Sequence, residues 1–360
     1  MKIENMPASA QDIPTKEELT KDKGIEVVLC VCEDCNLVQL KNDAVYYYRD
    51  VIRAGGYSTT MEDLRKSQYK HFIEFASLKG KKIIEVGCGR GEFLGMLDGF
   101  FVEGYGTEHK KELVEIARNA GLNVEEDFPE SENHIFKHGP FDAFMSFNFL
   151  EHQPHPRTYL KAIYNNLSQE GYGLITVPSF EYILEQNSFY EIIPDHIAYY
   201  SFESLTHLLN ICGFDVLESR IVNRDTIEVI VKKRKLPDIS GIIAKKNDIA
   251  NEVLETVKGY AKKGKIAIWG ASHQGFTLCA TTGIADYVDC IIDSAPFKQG
   301  KYAPASHIPI ISPDEARKRK FGAIIIVAPG YTQEISNIIK TTFDKDIDIY
   351  TLMTDRLSRL

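Results

Sequence analysis

Long apolar runs are missing from this sequence. No stretch approaches the ~18 consecutive apolar residues of a membrane-spanning helix, and no apolar leader core stands near the N-terminus. Membrane spanning and secretion are therefore not expected, and the chain reads as cytoplasmic. A basic surplus is missing too: 42 Lys and Arg stand against 51 Asp and Glu, a formal net charge of −9. Binding to nucleic acid leans on such a surplus facing the phosphates, so a nucleic-acid partner is not expected. Cysteine is sparse and odd in number, seven in all, with only Cys30, Cys32 and Cys35 clustered. That pattern argues against a disulfide framework and for reduced thiols or a metal site. Short-period repeats and low-complexity segments are absent, which removes solenoids and disordered tails from consideration.

What is present is a globular composition, 44% hydrophobic and 26% charged over 360 residues, long enough for two or three domains. Residues 1–78 hold a polar leader, then the alternating "IEVVLCVC" and "CNLVQL", a β-hairpin expected to turn at Glu33 and Asp34, then a helical arm over about 59–78. Residues 79–235 alternate strand-like runs ("KKIIEVG", "FVEGYGTE", "FDAFMSF", "GYGLITVP") with helical stretches. That order predicts a mostly parallel α/β sheet, closed by an antiparallel pair in "GFDVLESRIV" and "DTIEVIVKKR". After the linker "KRKLPDISG", residues 236–360 repeat the α/β style on a smaller scale.

The sharpest local signal is "IIEVGCGRGEFL", a strand followed by Gly87, Gly89 and Gly91 and then a helix. Glycines there permit a tight turn and a close approach of backbone to ligand. Glu85 on the strand would repel a pyrophosphate but suits a ligand carrying positive charge. Glu108 ends the second strand, where a carboxylate can accept from both ribose hydroxyls of an adenosine. The structural alternative is a glycine turn flanked by two solvated acids. Further on, "SFNFLEHQPHP" sets Asn148, Glu151 and His152 at the carboxyl edge of the sheet, where open α/β folds bind ligands. His152 either exchanges a proton near neutral pH or packs on the following helix. "IIPDHIAYYS" places Asp195 and His196 among apolar residues. In an extended segment their side chains point to opposite faces, one to the pocket and one to the protein.

Together, Glu85, the three glycines and Glu108 resemble the class I S-adenosylmethionine-dependent methyltransferases. By that resemblance Glu85 lies near the amino group of the methionine part, Glu108 holds the ribose, and Asp127 in "VEEDF" reaches the adenine amine. The whole pattern looks more specifically like the three-domain C-methyltransferases that act on nucleotide-linked keto sugars. Its carriers are the cysteine hairpin, the glycine-loop core, the Asp195–His196 insertion and "IAIWGASHQGFTLCA…DSAPFKQGKYAPASHIPI". The resemblance implies abstraction of the proton beside a ketone, an enolate, and attack of that carbon on the sulfonium methyl. It makes His196 the base, Asp195 its neighbouring acid and His152 the enolate or hydroxyl partner. Asn148 and Glu151 join them as substrate contacts, with Tyr57 on a closing arm, although Tyr57 is equally readable as an ordinary packing tyrosine. Lys298, Lys301 and His307 are implied diphosphate contacts, or else a solvated basic loop.

Two departures stand out. The family carries four zinc cysteines in two pairs, whereas Cys32 and Cys35 form one pair, and "NMPASAQDIP" resembles the segment that comes after the first pair in the family. A complete tetrahedral zinc is therefore not expected. Ile193 occupies a place where the family has tyrosine. In the C-terminal segment, "GASHQG" with Asp293 has the skeleton of a dinucleotide fold but lacks its close-spaced glycines. The expected partner is a nucleotide-linked sugar, with the chain a monomer or homodimer. An O- or N-methyltransferase, or a non-catalytic nucleotide-binding protein with a vestigial core, are the competing readings.

Overall fold

The computed structural model describes residues 1–11, 13–50, 58–260 and 263–360. Two compact units emerge, Met1–Leu236 and Pro237–Leu360. In the first, the expected hairpin is β2 (Ile25–Val31) against β3 (Val38–Leu40), antiparallel, with Leu29 opposite Leu40. The polar leader is not loop throughout. Lys2–Met6 forms a strand, β1, antiparallel to β2, and its sparse apolar residues Ile3 and Met6 pack on the hairpin core while Lys2 pairs with Glu26 at 2.9 Å. One strand face of two apolar residues is too short a pattern to read from sequence; pairing with β2 supplies the rest.

Helix α1 (Thr59–Phe75) begins where the Ser58 hydroxyl accepts from the Met61 amide at 3.3 Å. It stops before left-handed Ser77 (φ 53°), short of the expected residue 78. The core sheet follows: β4 (Lys82–Val86), β5 (Glu103–Glu108), α2 (Lys111–Asn119), β6 (Val124–Glu126), β7 (Phe141–Phe147), α3 (Pro156–Asn166) and β8 (Leu167–Pro178). An insertion then contributes α4 (Phe180–Gln186) and the two-residue strand β9 (Ala198–Tyr199), before α5 (Phe202–Ile211), β10 (Phe214–Val222) and β11 (Thr226–Lys233). The seven core strands lie in the order β10-β11-β8-β7-β4-β5-β6, with β11 antiparallel to β8 and to β10, as expected for the closing pair. The central strand β4 reads as a near-continuous apolar run because both its faces are covered. Ile84, Phe144 and Val229 face one core with α3 and α5; Ile83, Met145 and Ile230 face another with α1 and α2.

The insertion matters for position. Its strand β9 hydrogen-bonds to β3, so the N-terminal sheet runs β1-β2-β3-β9 and the segment carrying Asp195 and His196 is held between that sheet and the core.

The second unit comprises α6 (Ser240–Tyr260), β12 (Lys265–Trp269), α7 (His273–Thr281), β13 (Val288–Ile292), β14 (Ile310–Ile311), α8 (Pro313–Ala316), β15 (Phe321–Ile326), α9 (Thr332–Thr342), β16 (Asp348–Leu352) and β17 (Leu357–Arg359). Its sheet order is β14-β13-β12-β15-β16-β17, parallel except for β17. The chain leaves β12 to one side and returns to the other at β15, so the carboxyl ends of these two strands form the switch point where such sheets bind ligands.

Candidate active site

The loop after β4 is built on left-handed backbone: φ is 78° at Gly87, 61° at Gly89 and 81° at Gly91. Side chains rarely tolerate that region, and a Cβ on Gly91 would also meet Leu122 at 2.3 Å. The loop is tied to β5 by the Gly87 and Cys88 amides, which donate to the Thr107 carbonyl at 3.0 and 2.9 Å. Glu108, almost fully buried, accepts from the Gly89 amide at 3.0 Å and the Lys110 amide at 2.8 Å. Burial raises the Glu108 carboxyl above its ordinary value, against the backbone N–H groups of Lys110, Gly89 and His109. Glu85 is completely buried at the end of β4. Asp127 follows β6, with its amide on the Glu108 carbonyl at 3.0 Å and its carboxylate 2.8 Å from His134. This cradle fits an adenosine bearing a charged methionine tail.

At the end of β7 the chain turns through left-handed Asn148 (φ 47°), whose amide donates to the Thr176 carbonyl at 2.8 Å and whose Oδ1 accepts from the Thr176 hydroxyl at 2.9 Å. One 3₁₀ turn, Leu150–His152, then presents Glu151 and His152. Pro194 and Asp195 form a tight turn closed by the His196 amide on the Ile193 carbonyl at 3.1 Å, so the segment is not a strand. The turn is fastened to the 3₁₀ turn by the Ile197 amide on the Glu151 carbonyl, 3.0 Å. His152 and His196 meet edge to face, ring centroids 4.8 Å apart.

Their electrostatics differ. His152 Nδ1 lies 2.7 Å from the Asp195 carbonyl, which can only accept, so Nδ1 carries the proton and Nε2 the lone pair. Burial lowers the His152 pKa while that carbonyl bond opposes the shift. His196 is pushed down to about 3, by burial first and the His152 charge second. Glu151 is driven up to about 8 by burial, with bonds to its own backbone and Asn148 opposing, and its Oε2 has no partner among the described residues. Near neutral pH both imidazoles are therefore neutral and Glu151 holds a proton. The three offer donor atoms within 4.8 Å of one another. Asp195 faces away from the rings: its carboxylate accepts from the Tyr47 hydroxyl at 2.7 Å and the Ala10 amide at 3.0 Å. Tyr57 lies outside the described residues.

Arg65 was not singled out from sequence. It is nearly buried on α1, its guanidinium 3.5 Å from the Phe147 ring centroid and 4.4 Å from that of Phe93, at the ends of β7 and the glycine loop. It donates to Gln68 at 2.9 Å; Gln68 in turn donates to Glu228, which also accepts from Arg220 at 2.6 Å. The available signal was spacing: Arg65, Gln68, Tyr69, Phe72 and Ile73 share one buried helical face, and a charge there needs a reason.

Cys32 and Cys35 sit in the β2–β3 turn. Backbone N–H groups of Asp34 and then Cys35 lower the Cys32 thiol; Leu37 draws Cys35 down, but burial and Cys32 outweigh it and leave Cys35 raised. A zinc ion would find two ligands of four, since no third His, Cys, Asp or Glu joins them among the described residues. In the second unit, Lys298 is engaged by Asp293 at 3.0 Å, and Asp293 also caps the Ala271 and Ala295 amides at 2.8 and 2.9 Å. Lys301 and His307 are exposed on the following loop. A cavity of about 690 Å³ opens at the switch point, lined by Gly270, Ser272, Gln274, Asp293, Arg317 and Tyr331 among others, and none of the three expected phosphate contacts lines it.

The strand order, the glycine turn and the acid ending the second strand define a class I S-adenosylmethionine-dependent methyltransferase. Residues 61–219 match the methyltransferase domain family, and residues 240–351 match the C-methyltransferase C-terminal domain. The first stretch is thus similar to a methyltransferase domain and the second to the C-terminal domain of C-methyltransferases. It is similar to C-methyltransferase NovU of Streptomyces niveus, 23% identical over 340 residues, which cover 85% of this chain and 80% of that protein. A shorter likeness, 29% over 92 residues, covers 24% of this chain and 40% of the ubiquinone biosynthesis O-methyltransferase of Thiobacillus denitrificans. Among solved structures, magnesium protoporphyrin IX methyltransferase of Synechocystis PCC 6803 with bound SAH matches 50% of this chain and 89% of its own, 13% identical, TM-score 0.40.

Proposed function

We propose that this protein methylates a carbon beside the ketone of a nucleotide-linked sugar, with the His152–His196 pair handling the proton. The observation that carries this reading is two imidazoles packed edge to face at the carboxyl edge of the sheet, ring centroids 4.8 Å apart, where burial favours the neutral form of both. An α proton must be taken by a base, and the oxygen charge that develops must meet a donor. The fixed tautomer of His152 favours it as the base, because its Nδ1–H is held by a carbonyl and Nε2 is left to accept. His196, neutral far below pH 7, suits the other task, donating an N–H to the enolate oxygen. The comparable use of a neutral histidine is known from triosephosphate isomerase. This reverses the roles that the resemblance implied. S-adenosylmethionine, when bound, supplies the sulfonium methyl that the carbanion attacks. Glu108 holds the ribose hydroxyls, Glu85 and Asp127 face the amino group and the adenine, and Arg65 takes the methionine carboxylate.

The test is solvent deuterium exchange at the carbon beside the ketone of a nucleoside-diphosphate keto-hexose, measured without methyl donor. The wild-type chain is expected to exchange. His152→Ala is expected to lose exchange and turnover by about 10²- to 10⁴-fold while still binding S-adenosylhomocysteine. His196→Gln keeps an N–H donor and should retain part of both. Absence of exchange together with methylation on oxygen would sink the proposal and favour O-methyl transfer.

A further inference from the structure

We infer that Tyr47 is a positioning residue for His152, acting through Asp195; this rests on His152 being the base. Asp195 is nearly fully buried and works at both ends. Its carbonyl receives the His152 Nδ1–H at 2.7 Å and so fixes ring orientation and tautomer. Its carboxylate is divided between two segments far away in sequence. Oδ1 accepts from the Tyr47 hydroxyl at 2.7 Å, and Oδ2 accepts from the Ala10 amide at 3.0 Å. Tyr47 is itself buried, and its hydroxyl oxygen lies 2.5 Å from the Ser9 hydroxyl. With its one proton given to Asp195, Tyr47 accepts the proton of Ser9, and the chain of donors runs Ser9, Tyr47, Asp195.

Among the described residues this buried carboxylate is held by two neutral donors, and losing one of them is costly. Removing the Tyr47 hydroxyl therefore frees the Asp195 side chain to seek another donor. The 193–196 turn is closed by a single amide bond, so its peptide can tilt with the side chain and carry the carbonyl off His152. The opposing restraint is Tyr199, whose hydroxyl donates to the Ile193 carbonyl at 3.1 Å and accepts from the Ile193 amide at 2.9 Å. That holds the start of the turn, and the Ile197 amide on the Glu151 carbonyl, 3.0 Å, holds its end, which leaves the peptide of residue 195 between them to tilt. The N-terminal segment thus reports on, and sets, the orientation of the ring that takes the proton.

The experiment is a double-mutant cycle on the full chain. Tyr47→Phe is expected to lower kcat on the order of tenfold, as for loss of one hydrogen bond to a charged group, leaving S-adenosylhomocysteine affinity and donor KM unchanged. In a His152→Ala background the same substitution is expected to cost nothing further, because the ring it orients is gone. Ser9→Ala, one link further out, should show a smaller loss of the same kind, and it serves if Tyr47→Phe fails to bind S-adenosylhomocysteine. Equal losses in both backgrounds, or wild-type kcat in Tyr47→Phe, would overturn the inference while leaving His152 as base. Wild-type turnover in His152→Ala would instead remove the base assignment itself.

Discussion

Glu151 is the residue whose protonation most visibly couples the site to stability. Its carboxyl has an ordinary value of 4.5 and a buried value of about 8, so across that window the folded chain keeps a proton that the unfolded chain has released. Stability must then fall as pH rises through it. His196 acts in the opposite sense, since its folded value of about 3 lies below the ordinary 6.5; its contribution is fully present above about 6.5 and is lost as pH falls from there toward about 3. Above about pH 6.5 only the Glu151 effect remains of the two. Glu151→Gln is expected to flatten the fall in thermal midpoint between about pH 6.5 and about 8, measured by calorimetry beside the wild type. The lowered pKa of His152 has a kinetic consequence of its own. A base that stays neutral below the usual imidazole range keeps kcat/KM level through pH 7, and the acid limb should fall only below 6.5. Arg65 gives a third test at this scale. Its flat guanidinium lies over two rings, a fit that lysine cannot copy, so Arg65→Lys should raise KM for the methyl donor about tenfold or more with little change in secondary structure by circular dichroism.

At the scale of elements, the sheet is positioned by contacts that leave no room for a methyl group. A Cβ on Gly173 in β8 would stand 2.1 Å from the Phe144 ring, which is wholly buried and pinned by Phe214 at 5.5 Å between centroids. Gly173→Ala is expected to destabilise by about 1–3 kcal/mol or more through overpacking, seen as a lower urea midpoint with an unchanged slope. In the second unit, a Cβ on Gly275 would meet the Gly270 carbonyl at 2.2 Å. Gly275 is thus explained by α7 packing close on the end of β12, and Gly270 by its φ of 125° and by the Val327 carbonyl, 2.6 Å from where its Cβ would stand, without any phosphate. Elements also show where sequence reading succeeds. Strands β4, β5, β7 and β8 announced themselves by apolar runs between turn signals, whereas β1 and β9, of five and two residues, take their extended form from the partner they pair with.

For the whole molecule, each unit has its own cores: the clusters around Phe144, Ile83 and Val27 lie within residues 1–236, and those around Ile268 and Ile324 within 237–360. Residues 1–236 expressed alone are therefore expected to fold and to bind S-adenosylhomocysteine within about twofold of the full chain; calorimetry on both decides it. The sequence by itself determined the α/β class and the shape of the loop after β4, because its three glycines set a left-handed backbone that local pattern fixes. It also marked His152, Asp195 and His196 as the residues to watch. What only the tertiary structure decided is which way they face. The Asp195 carboxylate belongs to Tyr47 and Ala10, its carbonyl belongs to His152, and Arg65 turns inward over Phe147. Those pairings join residues dozens to nearly two hundred positions apart. Hydrogen-bond direction and burial at such range depend on how sheets and insertions pack, and that information is not held in any local stretch of the chain.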